Sequence, residues 1–341
     1  MEHSQNQLQE IMDKLEQGVS DVFSSEKYAE YLSTMSKFHN YSLNNILLIN
    51  MQKPGATKVA GYNAWKNLHG RNVMKGEKGI KILAPSPYKV KRQVEKIDPQ
   101  TRKPMLDKDG KPIMEEKEVT IPAYRVVSVF DVSQTEGREL PTLINELTGE
   151  VDNYDRFFDA LNRSCPVPIT FKDISTGAKG YFSYTNNDIT VNRGMSQLQT
   201  VKTAVHEMAH QKLHSDQDPL NKKTRSSKEV EAESVAYVVC QHYGLETSDY
   251  SFSYVAGWSE GKDTPELKAS LDTIRKAASE MIADIDKALE EINQDIAKDQ
   301  KPSLLDNLHR KQEQIRKTEQ SKTQAATEKN SIVKNQREGE R

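Results

Sequence analysis

The chain has 341 residues, 35% of them hydrophobic and 29% charged, with a formal net charge of -2. That length holds two ordinary domains, the low apolar fraction calls for a solvated helix or tail beside the core, and a net charge so near zero has to be read region by region. No apolar run approaches the roughly eighteen residues that span a bilayer, no basic stretch followed by an apolar h-region opens the chain, and Cys165 and Cys240 form no CxxC pair; these features argue against a membrane protein, a secreted protein and a disulfide scaffold, and for a cytoplasmic one.

The first fifty residues read as three helices. Leu8, Ile11, Met12, Leu15 and Val19 form one apolar stripe, and Tyr28, Tyr31, Leu32, Met35 and Phe38 form a second, with Ser25 as N-cap. A third helix, Ser42 to Met51, carries Leu43, Ile46, Leu47 and Ile49 and stops at Lys53-Pro54-Gly55. From Lys53 to Arg92, ten Lys or Arg stand against one acid, Glu77, an excess of nine positive charges in forty residues. Such a field attracts phosphate. Tyr62, Trp65 and Tyr88 are interleaved with the cations, among them Lys66, Arg71, Lys75, Lys78 and Lys81, and Lys75-Gly76-Glu77-Lys78-Gly79 reads as a tight basic turn before a strand from Ile80 to Ala84. Aromatic faces on which bases stack, beside cations that follow the backbone, suit single-stranded nucleic acid. The competing reading is a solvated basic surface with Trp65 as a core anchor.

Lys89 to Thr120 is dense in both charge signs and contains the turn sequence Asp107-Lys108-Asp109-Gly110-Lys111, so a long polar hairpin is expected there. A strand from Tyr124 to Phe130 then returns to pair with the Ile80 strand and closes a first domain, residues 1–137, with 138–150 as linker. The second domain, 151–293, opens with a helix from about Val151 to Arg163, followed by short strands Val167 to Phe171, Gly180 to Tyr184 and Asp188 to Val191. A polar, Lys- and Gln-rich tail, 294–341, completes the chain.

Behind the small sheet stands His206-Glu207-Met208-Ala209-His210. Residues four apart on a helix lie one above the other, so the two imidazoles can aim at one point, which is half of a tetrahedral zinc site. Glu207 adjoins the first histidine, where the general base of a metal-dependent hydrolase must be. Leu198, Val201, Val205 and Met208 form a separate apolar stripe on the same helix.

A catalytic zinc usually takes three protein ligands. Asp216 lies six residues past His210, but Leu213 occupies the place where a glycine would turn the chain back. His214 continues the series yet lies two helical turns from His206, about 12 Å along the axis. On a second helix, Ser226 to about Tyr243, Glu229 and Glu233 share one face; Glu229 is the preferred ligand, with Glu233 orienting a ligand histidine through its free ring nitrogen. The two carboxylates can exchange roles, and Glu231, on the other side of that helix, is a third option. An edge strand of the small sheet is the place to look for an extended peptide substrate.

Tyr41-Ser42-Leu43-Asn44-Asn45, Ala64-Trp65-Lys66, Val73 to Gly79 and Val129 to Gly137 resemble, in the same order, the N-terminal single-stranded DNA-binding domain of the ArdC family of antirestriction proteins of conjugative plasmids and integrative elements. His206 to His210 followed by Glu229-Val230-Glu231-Ala232-Glu233 is similar to that family's C-terminal zincin-like peptidase domain, related to the ImmA/IrrE peptidases, and Tyr254 to Trp258 also match its pattern. The resemblance implies an α+β fold: N-terminal helices with a small antiparallel sheet, then a zincin-like metallopeptidase domain with its own small sheet and HExxH helix, and a helical C-terminal extension. It implies single-stranded DNA as a partner of the first domain, a protein or peptide as substrate of the second, and His206, His210 and Glu229 as ligands of zinc, with manganese the alternative. The rival expectations are a DNA-coating protein whose metal is structural, and a peptidase aimed at a repressor of the mobile element.

Overall fold

Three N-terminal helices follow the apolar spacing: α1 (Glu2–Val22), α2 (Ser25–Phe38) and α3 (Leu43–Gln52). The computed structural model describes residues 2–140, 151–215, 223–245, 247, 250, 252–253 and 255–299; the linker from 141 on, Asp216, Tyr254 and the tail from 300 on lie outside the described residues. Tyr28, Tyr31, Leu32, Met35 and Phe38 are all buried, as their stripe requires. The cap of α2 falls one residue earlier than expected, at Ser24, with no side-chain bond. On α3, Ser42 caps by accepting from the Asn45 N–H.

Next come β1 (Val59–Gly61), α4 (Tyr62–His69), β2 (Arg71–Val73), β3 (Ile80–Pro85), β4 (Tyr88–Glu95), β5 (Met114–Ile121), β6 (Tyr124–Asp131) and β7 (Thr135–Gly137). The expected pairing of the Ile80 and Tyr124 strands is present: β3 and β6 are antiparallel with Ile80 opposite Val129, and β1 lies on the other side of β6. The outer edge of β3 is covered by side-chain amides from α3. Asn45 exchanges two bonds with Leu83, its Nδ2 donating to the carbonyl and its Oδ1 accepting from the N–H, both 2.9 Å, and Gln52 does the same to Lys81 at 2.9 Å. These two amides satisfy a row of backbone groups that an exposed edge would offer to another chain.

Asp131 and Gln134 close this part of the molecule. Asp131 accepts from the backbone N–H groups of Thr57, Lys58 and Ser133 at 2.8 to 3.1 Å, and Gln134 donates to Glu77 Oε2 and the Lys78 carbonyl. The basic turn thus hangs from the segment after β6, and Gly76, at φ +92°, takes a conformation that a side chain would strain. The polar excursion is a hairpin of two eight-residue strands, β4 and β5, carrying the cross-strand pairs Lys89–Glu118 and Lys91–Glu116.

The remaining elements are α5 (Val151–Ser164), β8 (Ile169–Lys172), β9 (Gly180–Ser183), β10 (Asp188–Asn192), α6 (Gln197–His214), α7 (Arg225–His242), α8 (Val255–Ser259) and α9 (Thr264–Asp299). The sheet order is β8-β10-β9, with β10 parallel to β8 and antiparallel to β9, so β9 is an edge. Helix α7 starts at Arg225 behind Thr224, whose side chain accepts from the Ser227 N–H. The N-terminal helices pack directly on α7: the Tyr28 hydroxyl and Ser234 Oγ are 2.7 Å apart, and His242 Nδ1 lies 2.9 Å from the Ser36 carbonyl. Met1–Asp286 forms one compact unit and Lys287–Arg341 a second, which takes the end of α9. Among the described residues, no helix is long and apolar enough to cross a membrane.

Candidate metal centre

Helix α6 is fixed by burial of Val201, Val205 and Met208 against the rest of the unit, which leaves His206 and His210 together beside that stripe. Their Nε2 atoms are 3.1 Å apart. Helix α7 crosses α6 and brings Glu229 Oε2 to 3.7 Å from His206 Nε2 and 3.4 Å from His210 Nε2. Ligands at about 2.1 Å from one tetrahedral ion stand roughly 3.4 Å from each other, so this triangle of two nitrogens and one oxygen has the size that a single first-row divalent cation requires. His206, His210 and Glu229 are the group of donors that meets at one point among the described residues.

The two carboxylates, whose order the helix periodicity leaves open, occupy different positions about His206. Glu229 faces both Nε2 atoms, whereas Glu233 Oε2 lies 3.0 Å from Nδ1, the other ring nitrogen of His206. That distance is short enough for a hydrogen bond, but the ring N–H is misdirected for one, and Nδ1 stays buried without an aligned acceptor. The field favours positive charge. Burial opposes protonation of His206, yet its contacts with Glu229 and Glu233 and the charge of Glu207 outweigh burial and raise its pKa to about 10. The two histidines hold the Glu229 carboxyl well below the usual carboxylate range. One carboxylate and two ring nitrogens that converge on a point, with the acids Glu207 and Glu233 close by, make a site for a cation, so the donor set fits the ion that the motif implies.

Glu207 is buried. Burial raises its pKa, against the opposing pull of His206 and His210 and of the nearby Phe182 backbone of β9. The close approach of strand and helix depends on Gly180, where an added Cβ would meet Thr203 Cγ2 at 2.6 Å, the Thr190 carbonyl at 2.9 Å and Glu207 Cγ at 3.4 Å. His214 and Glu231 belong to a neighbouring buried cluster: Lys223 Nζ donates to both Glu231 oxygens at 2.7 and 2.8 Å, and His214 Nε2 lies 3.2 Å from the Lys228 carbonyl. Burial and the charge of His210 depress His214 to about 4, so it is neutral.

The expected nucleic-acid residues divide. Tyr62 is 56% exposed, and Lys66, Lys75, Lys78 and Lys81 are exposed, Lys81 reaching Ser128 Oγ at 2.7 Å. Trp65 departs from the stacking role: it is 0% exposed and its Nε1 donates to the Phe130 carbonyl at 2.8 Å, so it is a core anchor. Arg71 departs as well, its guanidinium being spent on the Thr135 and Arg138 carbonyls at 2.7 and 2.6 Å. Sequence reasoning missed Lys179, Lys202 and Tyr250, which line a cavity beside His206 and Glu207. The spacing of Lys202, one helical turn before His206, was the available signal.

Residues 1–130 match the model of the N-terminal domain of the anti-restriction factor ArdC, and residues 163–243 match that of the IrrE N-terminal-like domain, a peptidase M78 family. An uncharacterized protein of Bacillus anthracis is 30% identical over 86% of this chain, which spans 54% of that protein, about half its length. The metal-free crystal structure of antirestriction ArdC from plasmid R388 is 25% identical, with 74% of this chain and 84% of that one covered and a TM-score of 0.42; the Mn(II)-bound structure gives 19%, 81%, 97% and 0.45. The molecule therefore falls in the class that joins an ArdC-type N-terminal domain to a metallopeptidase-like IrrE domain. In both parts it is similar to ArdC-like antirestriction proteins.

Proposed function

We propose that the protein is a single-stranded DNA-binding, metal-dependent peptidase of a mobile genetic element that protects incoming DNA. The observation that carries the reading is the convergence of His206, His210 and Glu229 within 4.8 Å, with Glu207 next to the first of them. Zinc suits two imidazoles and a carboxylate, and manganese suits them too. A cation held by these donors would polarise a scissile carbonyl and acidify water. Glu207 takes the proton of the attacking water and passes it to the leaving amine nitrogen; its raised pKa fits a group that holds a proton between the two transfers. Glu233, 3.0 Å from Nδ1, holds His206 from behind by its charge, without an aligned hydrogen bond. The β9 edge receives the substrate as an added strand, beside the Glu207 carboxylate. The basic turn with Lys75 and Lys78, together with Tyr62 and Lys66, holds the DNA strand.

Glu207→Gln tests the mechanism. The variant should bind metal like the parent and lose metal-dependent hydrolysis of candidate host and element proteins; hydrolysis that persists would remove Glu207 from the reaction. The DNA-binding half is tested separately: salt-dependent binding of an oligonucleotide should survive treatment with a chelator. Cleavage of nothing offered, with that binding intact, would favour the DNA-coating reading.

A further inference from the structure

The sheet of β1, β6 and β3 has two unlike faces. Side chains alternate along a strand and cross-strand partners share a side. With Ile80 opposite Val129 and Val59 opposite Asp131, these four residues and Ile82 fall on one face, and all five are buried. The other face carries Phe130, Ser128 and Tyr124 along β6, with Ala60 and Lys81 beside them on the flanking strands. Leu83 is the buried member of this face, whereas Lys81 is exposed, Tyr124 is 59% exposed, and Phe130 and Ser128 are half-buried.

Phe130 stands between small neighbours. Ala60 is opposite it on β1, and at Gly79, just before β3, an added Cβ would meet Ser128 Cβ at 2.8 Å and Phe130 Cζ at 3.2 Å. The ring therefore lies against the glycine, with Tyr62 edge-on at 6.3 Å, and Trp65 Nε1 pins the Phe130 carbonyl from the buried side. A ring that covers a strand glycine can serve the sheet alone, but Tyr124 lies six residues away, about 20 Å along the strand, or about six nucleotides at a rise of roughly 3.4 Å. Between the two rings Lys81 donates to Ser128 Oγ at 2.7 Å, a neutral partner that offsets none of its charge. No acid occurs from Tyr124 to Phe130, and Glu77, the one acid from Lys53 to Arg92, is bonded to Gln134. The β4–β5 hairpin is different: Lys89 pairs with Glu118 at 3.2 Å and Lys91 with Glu116 at 2.7 Å, so its cations are offset by acids.

We infer that this open sheet face is the platform on which single-stranded DNA stacks, Phe130 and Tyr124 each taking a base and Lys81 a phosphate between them. The inference rests on the DNA-binding reading and adds the place of the bases, which the basic turn, a track for phosphates, does not supply. Ring faces offer nothing to a duplex, whose bases are already stacked on one another, so the platform selects single strands.

The test uses the full chain and three fluorescein-labelled probes read by anisotropy over a range of salt: a twelve-nucleotide oligothymidine, an abasic strand of the same length, and a duplex. Tyr124→Ala and Phe130→Leu should each weaken oligothymidine binding by about fivefold to a hundredfold, the range of one lost base stack, and leave binding of the abasic strand and the duplex at the parent value. Lys81→Gln should lower the slope of log affinity against log salt by about 0.7, the count of one phosphate on a single strand, while Lys117→Gln, the same charge change on the hairpin, leaves that slope as it is. Phe130 is half-buried and its replacement can loosen the sheet, so the exposed Tyr124 supplies an independent variant, with thermal unfolding as the check on integrity. Oligothymidine binding that survives both aromatic changes, or an equal loss on the abasic strand, overturns the platform and leaves DNA binding to the basic turn. Equal effects of Lys81→Gln and Lys117→Gln overturn the phosphate position. A parent that binds none of the probes removes the DNA-binding reading itself, and the platform with it.

Discussion

In the α6–α7 pair the ionisable groups point inward at one another; from Lys53 to Lys81 the cations mostly point outward, and neutral amides with one buried carboxylate hold the interior. Glu229 stands within 3.7 Å of both ligand nitrogens, so removing any one of these groups alters the environment of the others. Lys66, Lys75 and Lys78 are exposed, and under the proposed function each would add to DNA binding through a screened, roughly additive field. An inward cluster acts as a unit, and an outward patch acts by degrees.

The strongest way to break this contrast is His210→Ala. The variant should lose metal by more than the roughly 10-fold to 100-fold typical of an outer partner of a ligand, read as metal content after dialysis, while its affinity for an oligonucleotide stays that of the parent. Retention of a full equivalent of metal would mean that Glu229 and His206 find another third donor and that the cluster is not a unit.

Trp65 and Tyr62, three residues apart on α4, sharpen it within the basic region. Trp65 fills a fully buried site and donates to the Phe130 carbonyl, so Trp65→Ala should cost about 3–5 kcal/mol of stability in denaturant unfolding. Tyr62 is largely exposed and lies edge-on to Phe130 with ring centres 6.3 Å apart. Tyr62→Ala should leave stability almost unchanged and weaken oligonucleotide binding by about 1–3 kcal/mol, the worth of one stacked base. Equal effects on stability would erase the distinction between core and surface that the structure draws.

The ligand helix was legible because helical geometry alone carries it: residues four apart share a face wherever the helix lies, so His206 and His210, and Glu229 and Glu233, could be paired before any packing was known. Which carboxylate faces the Nε2 atoms depends on how α7 crosses α6, and that crossing is set by apolar contacts with no local signature. The basic region was readable as charge but not as a surface. Nothing local in Ala64-Trp65-Lys66 says whether the indole turns toward β6 or away. Nor does Arg71 announce that the carbonyls of Thr135 and Arg138 will take up its guanidinium, because those groups are more than sixty residues away. The same holds for Asn45, whose partner, Leu83, is 38 residues on.

The least drastic change is pH, applied to metal-free protein. His214 has a folded pKa of about 4 against an ordinary 6.5, set by burial and by the charge of His210. Between those values the unfolded chain takes up a proton that the folded one refuses, so stability falls as pH drops from 6.5 to about 4. His39, lowered by burial and by its neighbour His242, adds in the same direction. His206 has the opposite sign: its folded value of about 10 lies above 6.5, so its contribution is complete below 6.5 and is lost as pH rises toward 10. Asp131 is held below 3.8 because the hydrogen bonds it accepts outweigh its burial, and its contribution persists until pH falls below that value. Hydrogen exchange should therefore show the amides of α6 and α7 best protected near pH 6.5, with protection declining on both sides, while those of β6 around Asp131 hold through pH 4. A decline of β6 in step with α6 between pH 6.5 and 4 would show that the inward cluster and the neutral-amide interior unfold as one cooperative body, and that the contrast between them is local chemistry without separate stability.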